Sequence, residues 1–164
     1  MKDTMKRTVR WSGIAAVAAS AASAVSFFTT RYLVKIALDR EEPKAAQLAE
    51  TRILGSMKEN TFIREVNDTA EKLAAKQNEI IEITASDGTT LIGHWIPCQN
   101  AKRVIIAMHG WRSAWYRDFG MISDFWERND CSVLYAEQRG QNGSGGEYIS
   151  FGLLERYDCL DWIK

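Results

Sequence analysis

Proline is nearly missing from this sequence: two residues in 164, Pro43 and Pro97. A Pro-rich spacer is therefore excluded, and any connector must be built of other residues. Histidine is as scarce, with His94 and His109 alone. The three cysteines, Cys98, Cys131 and Cys159, are odd in number, far apart and without a Cys-x-x-Cys spacing. That pattern supports neither a zinc site nor a disulfide framework, and reads as free, mostly buried thiols. Net charge is lacking too. The 21 Lys+Arg balance the 21 Asp+Glu, no basic patch stands out, and nucleic acid is not an expected partner. Neither Gly-x-Ser-x-Gly nor Gly-Lys-Ser/Thr occurs, and no internal repeat is visible.

What is present suits a globular protein: 46% hydrophobic and 26% charged residues in a chain long enough for one domain with a core. The N-terminus stands apart. Lys2, Lys6, Arg7 and Arg10 precede an uncharged run from Trp11 to Thr30. Twenty uncharged residues just suffice to cross a bilayer as a helix. A basic start before such a run is also how a secretory signal peptide begins, and Ala19-Ser20-Ala21 or Ala22-Ser23-Ala24 would serve for cleavage. The run is rich in Ala and Ser, which makes a weak membrane helix. An uncleaved anchor, a cleaved signal and a small-residue core helix all remain open for residues 1–30. For an anchor, the basic residues slightly favour a cytoplasmic N-terminus, which places the bulk of the chain outside; Arg31, Lys35 and Arg40 weaken that bias.

Residues 31–77 are dominated by helix formers, with Leu48, Ile53, Met57, Phe62, Ile63, Val66 and Leu73 at roughly helical spacing. They read as a helical connector, interrupted near Gly55 and Asn60, with Pro43 in a first turn.

From residue 78 the pattern changes. The segment 79-EIIEIT-84, the turn signal Asp87-Gly88 and 89-TTLIGHWIP-97 predict an antiparallel hairpin. The unbroken apolar run 103-RVIIAM-108 predicts a strand buried on both faces. Trp115, Phe119, Ile122 and Trp126, widened by Met121 and Phe125, predict one apolar helix stripe. A strand at 132-SVLYAEQR-139 follows, then the loop 140-GQNGSGG-146. The last predicted helix is capped by Ser150, with Leu153, Leu154, Tyr157, Leu160 and Ile163 turned inward. Strands alternating with helices imply an α/β sandwich, mostly parallel, with helices on both faces.

Three features bear on chemistry. His109-Gly110-Trp111 lies at the C-terminal end of a predicted parallel strand, the edge where ligands gather in open α/β sheets. Glycine there allows a backbone N–H to face a ligand, as an oxyanion hole requires. His109 read alone is a structural histidine rather than a general base. The loop 140–146 is Gly-rich enough to consider a phosphate, but Glu147, Tyr148 and Ile149 separate it from the next helix, unlike a dinucleotide fingerprint. A tight surface loop, tied down by Arg139, is the stronger reading. Ser144 lacks the elbow spacing of a nucleophile.

His109-Gly110 together with Arg139-Gly140-x-x-Gly143-Ser144, on successive strands, resembles the α/β-hydrolase superfamily, in particular membrane-anchored or secreted bacterial serine hydrolases of the esterase or peptidase-like branch. The likeness spans roughly residues 78–164, with Glu137 where the family usually has aspartate and the Gly-Ser pair shifted by one. It implies that the backbone N–H of Trp111 helps form an oxyanion hole, that His109 and Gly110 set that loop's geometry, and that Arg139, Gly140 and Gly143 are structural. It implies no cofactor and no metal, and an acyl substrate, small-molecule or peptide. The family's nucleophilic serine, acid and catalytic histidine belong beyond Lys164, so the expectation is an N-terminal hydrolase fragment, inactive alone and marginally folded. The organisation expected is an anchor or signal at 1–30, a connector at 31–77 and an incomplete hydrolase domain at 78–164. The alternative is a membrane-tethered, non-catalytic interaction module. Use of the 140–146 loop for nucleotides is a third reading.

Overall fold

The computed structural model describes residues 2–41, 43–56 and 60–164, with Met57 of the predicted connector stripe outside them. The chain divides into two compact units, Met1–Leu38 and Asp39–Lys164.

The first unit is one helix, α1 (Lys2–Leu38), running eight residues past the end of the uncharged run. Its 37 residues exceed the length needed to span a bilayer. Its composition does not meet the need. Among the described residues no helix is long and apolar enough to cross a membrane, because Ala and Ser fill the middle of the run. The expected transmembrane segment at 11–30 therefore finds no span. The Ser23 hydroxyl donates back to the Ala19 carbonyl at 2.9 Å, the usual way a helix satisfies such a group.

The second unit begins with α2 (Lys44–Ser56) and α3 (Thr61–Ala74); of the two predicted interruptions, Asn60 lies at the start of α3, whereas Gly55 lies within α2. Asn60 caps α3, its side-chain oxygen accepting from the Phe62 N–H at 2.9 Å. Four strands follow in a single sheet: β1 (Glu79–Thr84), β2 (Thr90–Ile96), β3 (Arg103–Met108) and β4 (Cys131–Ala136), in the order β1-β2-β4-β3. Asp87-Gly88 makes the β1–β2 turn, Gly88 at φ +87°. Helix α4 (Trp115–Arg128) connects β3 to β4, and α5 (Glu155–Ile163) closes the unit.

The sheet is mixed rather than mostly parallel. Only β3 and β4 run parallel; β2 is antiparallel to both β1 and β4. All six residues of β4 are buried, because it lies between β2 and β3 with helices over both faces. Val133 and Tyr135 pack with Trp115 of α4, Leu73 of α3 and Ala107 of β3. Leu134 points the other way, as alternation along a strand requires, and meets Trp162 of α5 over Gly93. By contrast β3 is an edge strand, and on the face opposite Ile105 and Ala107 it leaves Val104 64% exposed while Ile106 and Met108 are half-buried, so the burial predicted on both faces is incomplete on one.

Two helix faces differ from the predicted ones. On α4, Trp115, Phe119 and Trp126 face the core, but Met121, Ile122 and Phe125 are exposed. The reason is Gly120, whose missing side chain lets α3 approach along the adjacent face. A Cβ there would lie 2.7 Å from the Ala70 nitrogen and 2.8 Å from its Cα. Gly120→Ala is therefore expected to destabilise the unit by about 1–2 kcal/mol, the overpacking cost exceeding the gain in helix propensity. Urea denaturation checks this; an unchanged or raised midpoint contradicts the close crossing. Along α5 and the turn before it the predicted inner face is largely inverted, with Leu154 alone of its five residues half-buried. Leu153, Tyr157, Leu160 and Ile163 are exposed, while Glu155 and Asp158 are buried. Polar bonds rather than apolar packing turn this helix. The Ser150 N–H and hydroxyl donate to the two oxygens of the Glu155 carboxylate at 2.6 and 2.7 Å, and Ser150 Oγ accepts from the Leu154 N–H at 2.8 Å. Ser150 thus caps the turn leading into α5. Asp158 is drawn inward by Arg139.

Candidate active-site loops

Helix α4 and strands β3 and β4 deliver two loops to one edge of the sheet. After β3 the chain makes a tight turn, Gly110 to Ser113, with the Ser113 N–H donating to the Gly110 carbonyl at 3.3 Å and Arg112 at φ +50°. Asp118, in the first turn of α4, holds this turn by both carboxylate oxygens: the Gly110 N–H donates to one and the Ser113 hydroxyl to the other, each at 2.5 Å. A Cβ on residue 110 would meet that carboxylate at 3.2 Å, so glycine permits the clasp. Trp111 stands at the outer corner, 48% exposed, beside Phe151 and under the Arg112 guanidinium.

Beneath the turn both histidines of the chain converge on one buried carboxylate, Glu137. His109 Nε2 lies 3.0 Å from Glu137 Oε2 and His94 Nε2 3.4 Å from Oε1. Asn142 Nδ2 donates to Oε2 at 2.6 Å. Burial by itself pushes the Glu137 carboxyl up, but its polar contacts with His109, His94 and Asn142 outweigh it and hold the group at about 2. His94 stacks on Trp115 at 4.5 Å between centroids, and its Nδ1 meets the Asn78 side-chain oxygen at 3.0 Å. The Asn78 amide nitrogen is already given to the Lys76 carbonyl, so the imidazole donates.

His109 is buried and committed. Its Nδ1 donates to the Gly110 carbonyl at 2.9 Å, and its Nε2 faces Glu137 and the Gln138 N–H, 3.1 Å away. The Gln138 side chain donates to the His109 carbonyl. Asn142 reaches across to the turn, donating to the Ser113 carbonyl at 2.8 Å. The His109 ring thus holds the loop's main chain and offers no face to a ligand.

The other expected residues divide by role. Arg139 binds Asp158 with two nitrogens, Nε at 2.6 Å, and Asp87 at 2.8 Å. It fastens β4 to α5 and to the β1–β2 turn, rather than tying down its own loop. Gly140, at φ +67°, passes so close to Tyr148 that a Cβ would sit 2.6 Å from that residue's backbone. Gly143 lies against Ile92. Ser144 is fully buried, its hydroxyl donating to the Glu137 carbonyl at 2.7 Å and accepting from the Ile92 N–H at 2.9 Å, so it is a strut and not a nucleophile.

In the 140–146 loop the N–H groups of Gly140, Gln141, Ser144 and Gly145 are bonded to carbonyls of the protein, and the carbonyls of Asn142, Ser144 and Gly146 converge on a cation, the Arg40 guanidinium. A phosphate cradle needs the reverse polarity. Among the described residues no group of three or more His, Cys, Asp or Glu is placed to hold a metal ion. The cysteines are free, Cys131 buried and Cys98 and Cys159 half-buried.

Sequence reasoning missed Asp118, Asn142, His94 and Arg40. Asp118 and Asn142 look like ordinary helix and loop residues. His94 carried one signal, being the second of only two histidines. Arg40 seemed merely a basic residue after the uncharged run.

Neither a protein-family model nor a curated protein sequence matches this chain. Among solved structures, the esterase Pf2001 of Pyrococcus furiosus is similar over 57% of this chain and 37% of its own, at 28% identity and a TM-score of 0.47. A second crystal form of that esterase gives 28% identity and a TM-score of 0.48 over 57% and 38% of the two chains. The α/β hydrolase GrgF from Penicillium sp. sh18 is similar over 54% of this chain and 32% of its own, at 22% identity and a TM-score of 0.45. The chain thus spans less than two fifths of the length of these proteins.

Proposed function

We propose that residues 78–164 form the oxyanion-side part of a serine hydrolase of the α/β-hydrolase superfamily, acting on ester or amide bonds by acyl transfer. The observation that carries this reading is the Gly110–Ser113 turn, fixed at the C-terminal end of β3 by Asp118, His109 and Asn142. A donor held rigid before charge develops is what stabilises a tetrahedral oxyanion. The donor assigned is the Trp111 backbone N–H. The esterase and hydrolase named above, similar to part of this chain, lend support from outside it.

The nucleophile, acid and base of such a reaction are placed outside these residues. Ser113 and Ser144 are both committed to structural bonds, and His109 is sealed under the turn. The 164-residue chain alone is accordingly expected to be inert toward esters. The test is to treat the product of the native gene, in its own cells, with a biotinylated fluorophosphonate and map the labelled peptide. The reading expects a labelled protein that contains residues 78–164 and carries its modified serine in a Gly-x-Ser-x-Gly outside them. Labelling of Ser113 or Ser144, or of nothing, overturns it.

The second reading, a non-catalytic interaction module, draws on the exposed Leu153 and, on α5, the exposed Tyr157, Leu160 and Ile163. It predicts no labelled species. Membrane attachment through residues 11–30, with the bulk of the chain outside the cell, rests on their lack of charge. Retention in the membrane pellet after alkaline carbonate checks it, and release to the supernatant removes it.

A further inference from the structure

We propose that Asp39 and Arg40, which directly follow α1 in sequence, are a positioning bracket that sets the two loops of the candidate site against each other. The Arg40 guanidinium donates to three main-chain carbonyls of one loop: Ser144 at 2.8 Å, Gly146 at 3.3 Å, and Asn142. The Asp39 carbonyl accepts from Arg112 Nη2, in the other loop, at 3.3 Å. Main-chain pairing completes the seat, with an Asp39–Tyr148 bridge and the Arg40 N–H donating to the Glu147 carbonyl at 2.8 Å.

Electrostatics gives the bracket its force. Three carbonyl dipoles aimed at one point present their negative ends to one another, an arrangement that repels unless a cation occupies the focus. The planar guanidinium, with several donors in a fixed fork, fills that focus as a lysine ammonium cannot. Asn142 carries the effect onward. Its carbonyl is held by Arg40, while its side chain bonds both Glu137 and the Ser113 carbonyl. Displacing the guanidinium therefore releases the loop after β4 and, through Asn142, the turn that carries Trp111. The bracket itself does not rest on the hydrolase reading; only its consequence for an oxyanion donor does.

Hydrogen exchange of backbone amides in the full chain tests it. Arg40→Ala keeps the main-chain pairing and removes the fork. Exchange is expected to quicken roughly ten- to a hundred-fold, the range for losing charged hydrogen bonds, at residues 140–146 and also at 110–114. The β1–β2 turn and the α3–α4 pair should be unchanged. Methylguanidinium at millimolar concentration should restore protection by entering the space that the Arg40 guanidinium vacates among the carbonyls of Asn142, Ser144 and Gly146. Arg40→Lys, which keeps the charge, should fold and show a smaller rise in the same two segments. A rise confined to 140–146 refutes the coupling between loops. A rise throughout the unit in both variants, or no recovery with methylguanidinium, refutes the positioning role. None of these outcomes depends on hydrolysis, so the bracket and the hydrolase reading fail separately.

Discussion

Arg139→Ala is expected to lower the free energy of unfolding by about 3–5 kcal/mol, the usual cost of leaving a buried charge without its partner. The stranded group is Asp158, 1% exposed, which accepts from two nitrogens of Arg139. The bond to Asp158 raises the proton affinity of the guanidinium, against burial, and Asp87 adds to it. Asp87 itself is held at about 2, first by its hydrogen bond to Arg139, but it is half exposed and solvent screens the pair. Asp87→Asn is therefore expected to cost less than about 1 kcal/mol. A domain is ordinarily stable by only about 5–15 kcal/mol, so the loss of Arg139 takes a large share. Urea denaturation followed by tryptophan fluorescence measures all of these. The pair Arg139→Met with Asp158→Leu decides the mechanism. If the cost of the single change is the stranded carboxylate, the double change restores most of the stability. If it is lost packing of the arginine stem, the double change restores little, and this account of the β4–α5 junction is wrong.

That junction also explains what was legible in the sequence. The strands were, because β-branched and aromatic residues were bounded by turn signals: Glu79–Thr84 and Arg103–Met108 match their predicted bounds. The hairpin followed from Asp87-Gly88. The face of α5 was not legible. Periodicity counts apolar residues, and it places Leu153, Tyr157, Leu160 and Ile163 inside by default. The structure instead buries Asp158 and Glu155, since each has a partner far along the chain or across a turn. Pattern reading has no term for a buried ion pair whose members are 19 residues apart. The candidate site divides in the same way. His109-Gly110 was recognisable as a strand-end motif. The groups that fix it come from α4, the loop after β4 and β2, and only the assembled sheet brings Asp118, Asn142 and His94 to one place.

Glu137→Gln is expected to cost about 3 kcal/mol near neutral pH and to flatten the loss of stability in acid. The carboxylate is 5% exposed and is contacted by the Nε2 atoms of His109 and His94 and by the Asn142 amide, which donates to it. A glutamine there turns one oxygen into an NH₂ that confronts other donors, leaving buried groups unpaired. The pH dependence follows from the sign of the shift. Glu137 is lowered from its ordinary 4.5 to about 2, so the folded state holds its proton less tightly than the unfolded chain. The resulting stabilisation, about 3 kcal/mol at 1.36 kcal/mol per tenfold change, is fully present above about pH 4.5. It is lost as the pH falls toward 2. Asp87, Asp124, Asp130, Asp161 and Glu155 are also lowered and contribute to the same acid loss. The quantity to measure is therefore the difference between wild type and Glu137→Gln, from urea titrations between pH 2 and pH 6. That difference should shrink to a small remainder at pH 2; a constant gap across the range would mean that the histidines do not stabilise the charged carboxylate. Glu137→Asp supplies the finer test. One methylene shorter, aspartate cannot span from the His109 side to His94, and should fall between the two. Equality with wild type would show that His94 adds nothing, and that one imidazole under the Gly110–Ser113 turn is enough to hold it.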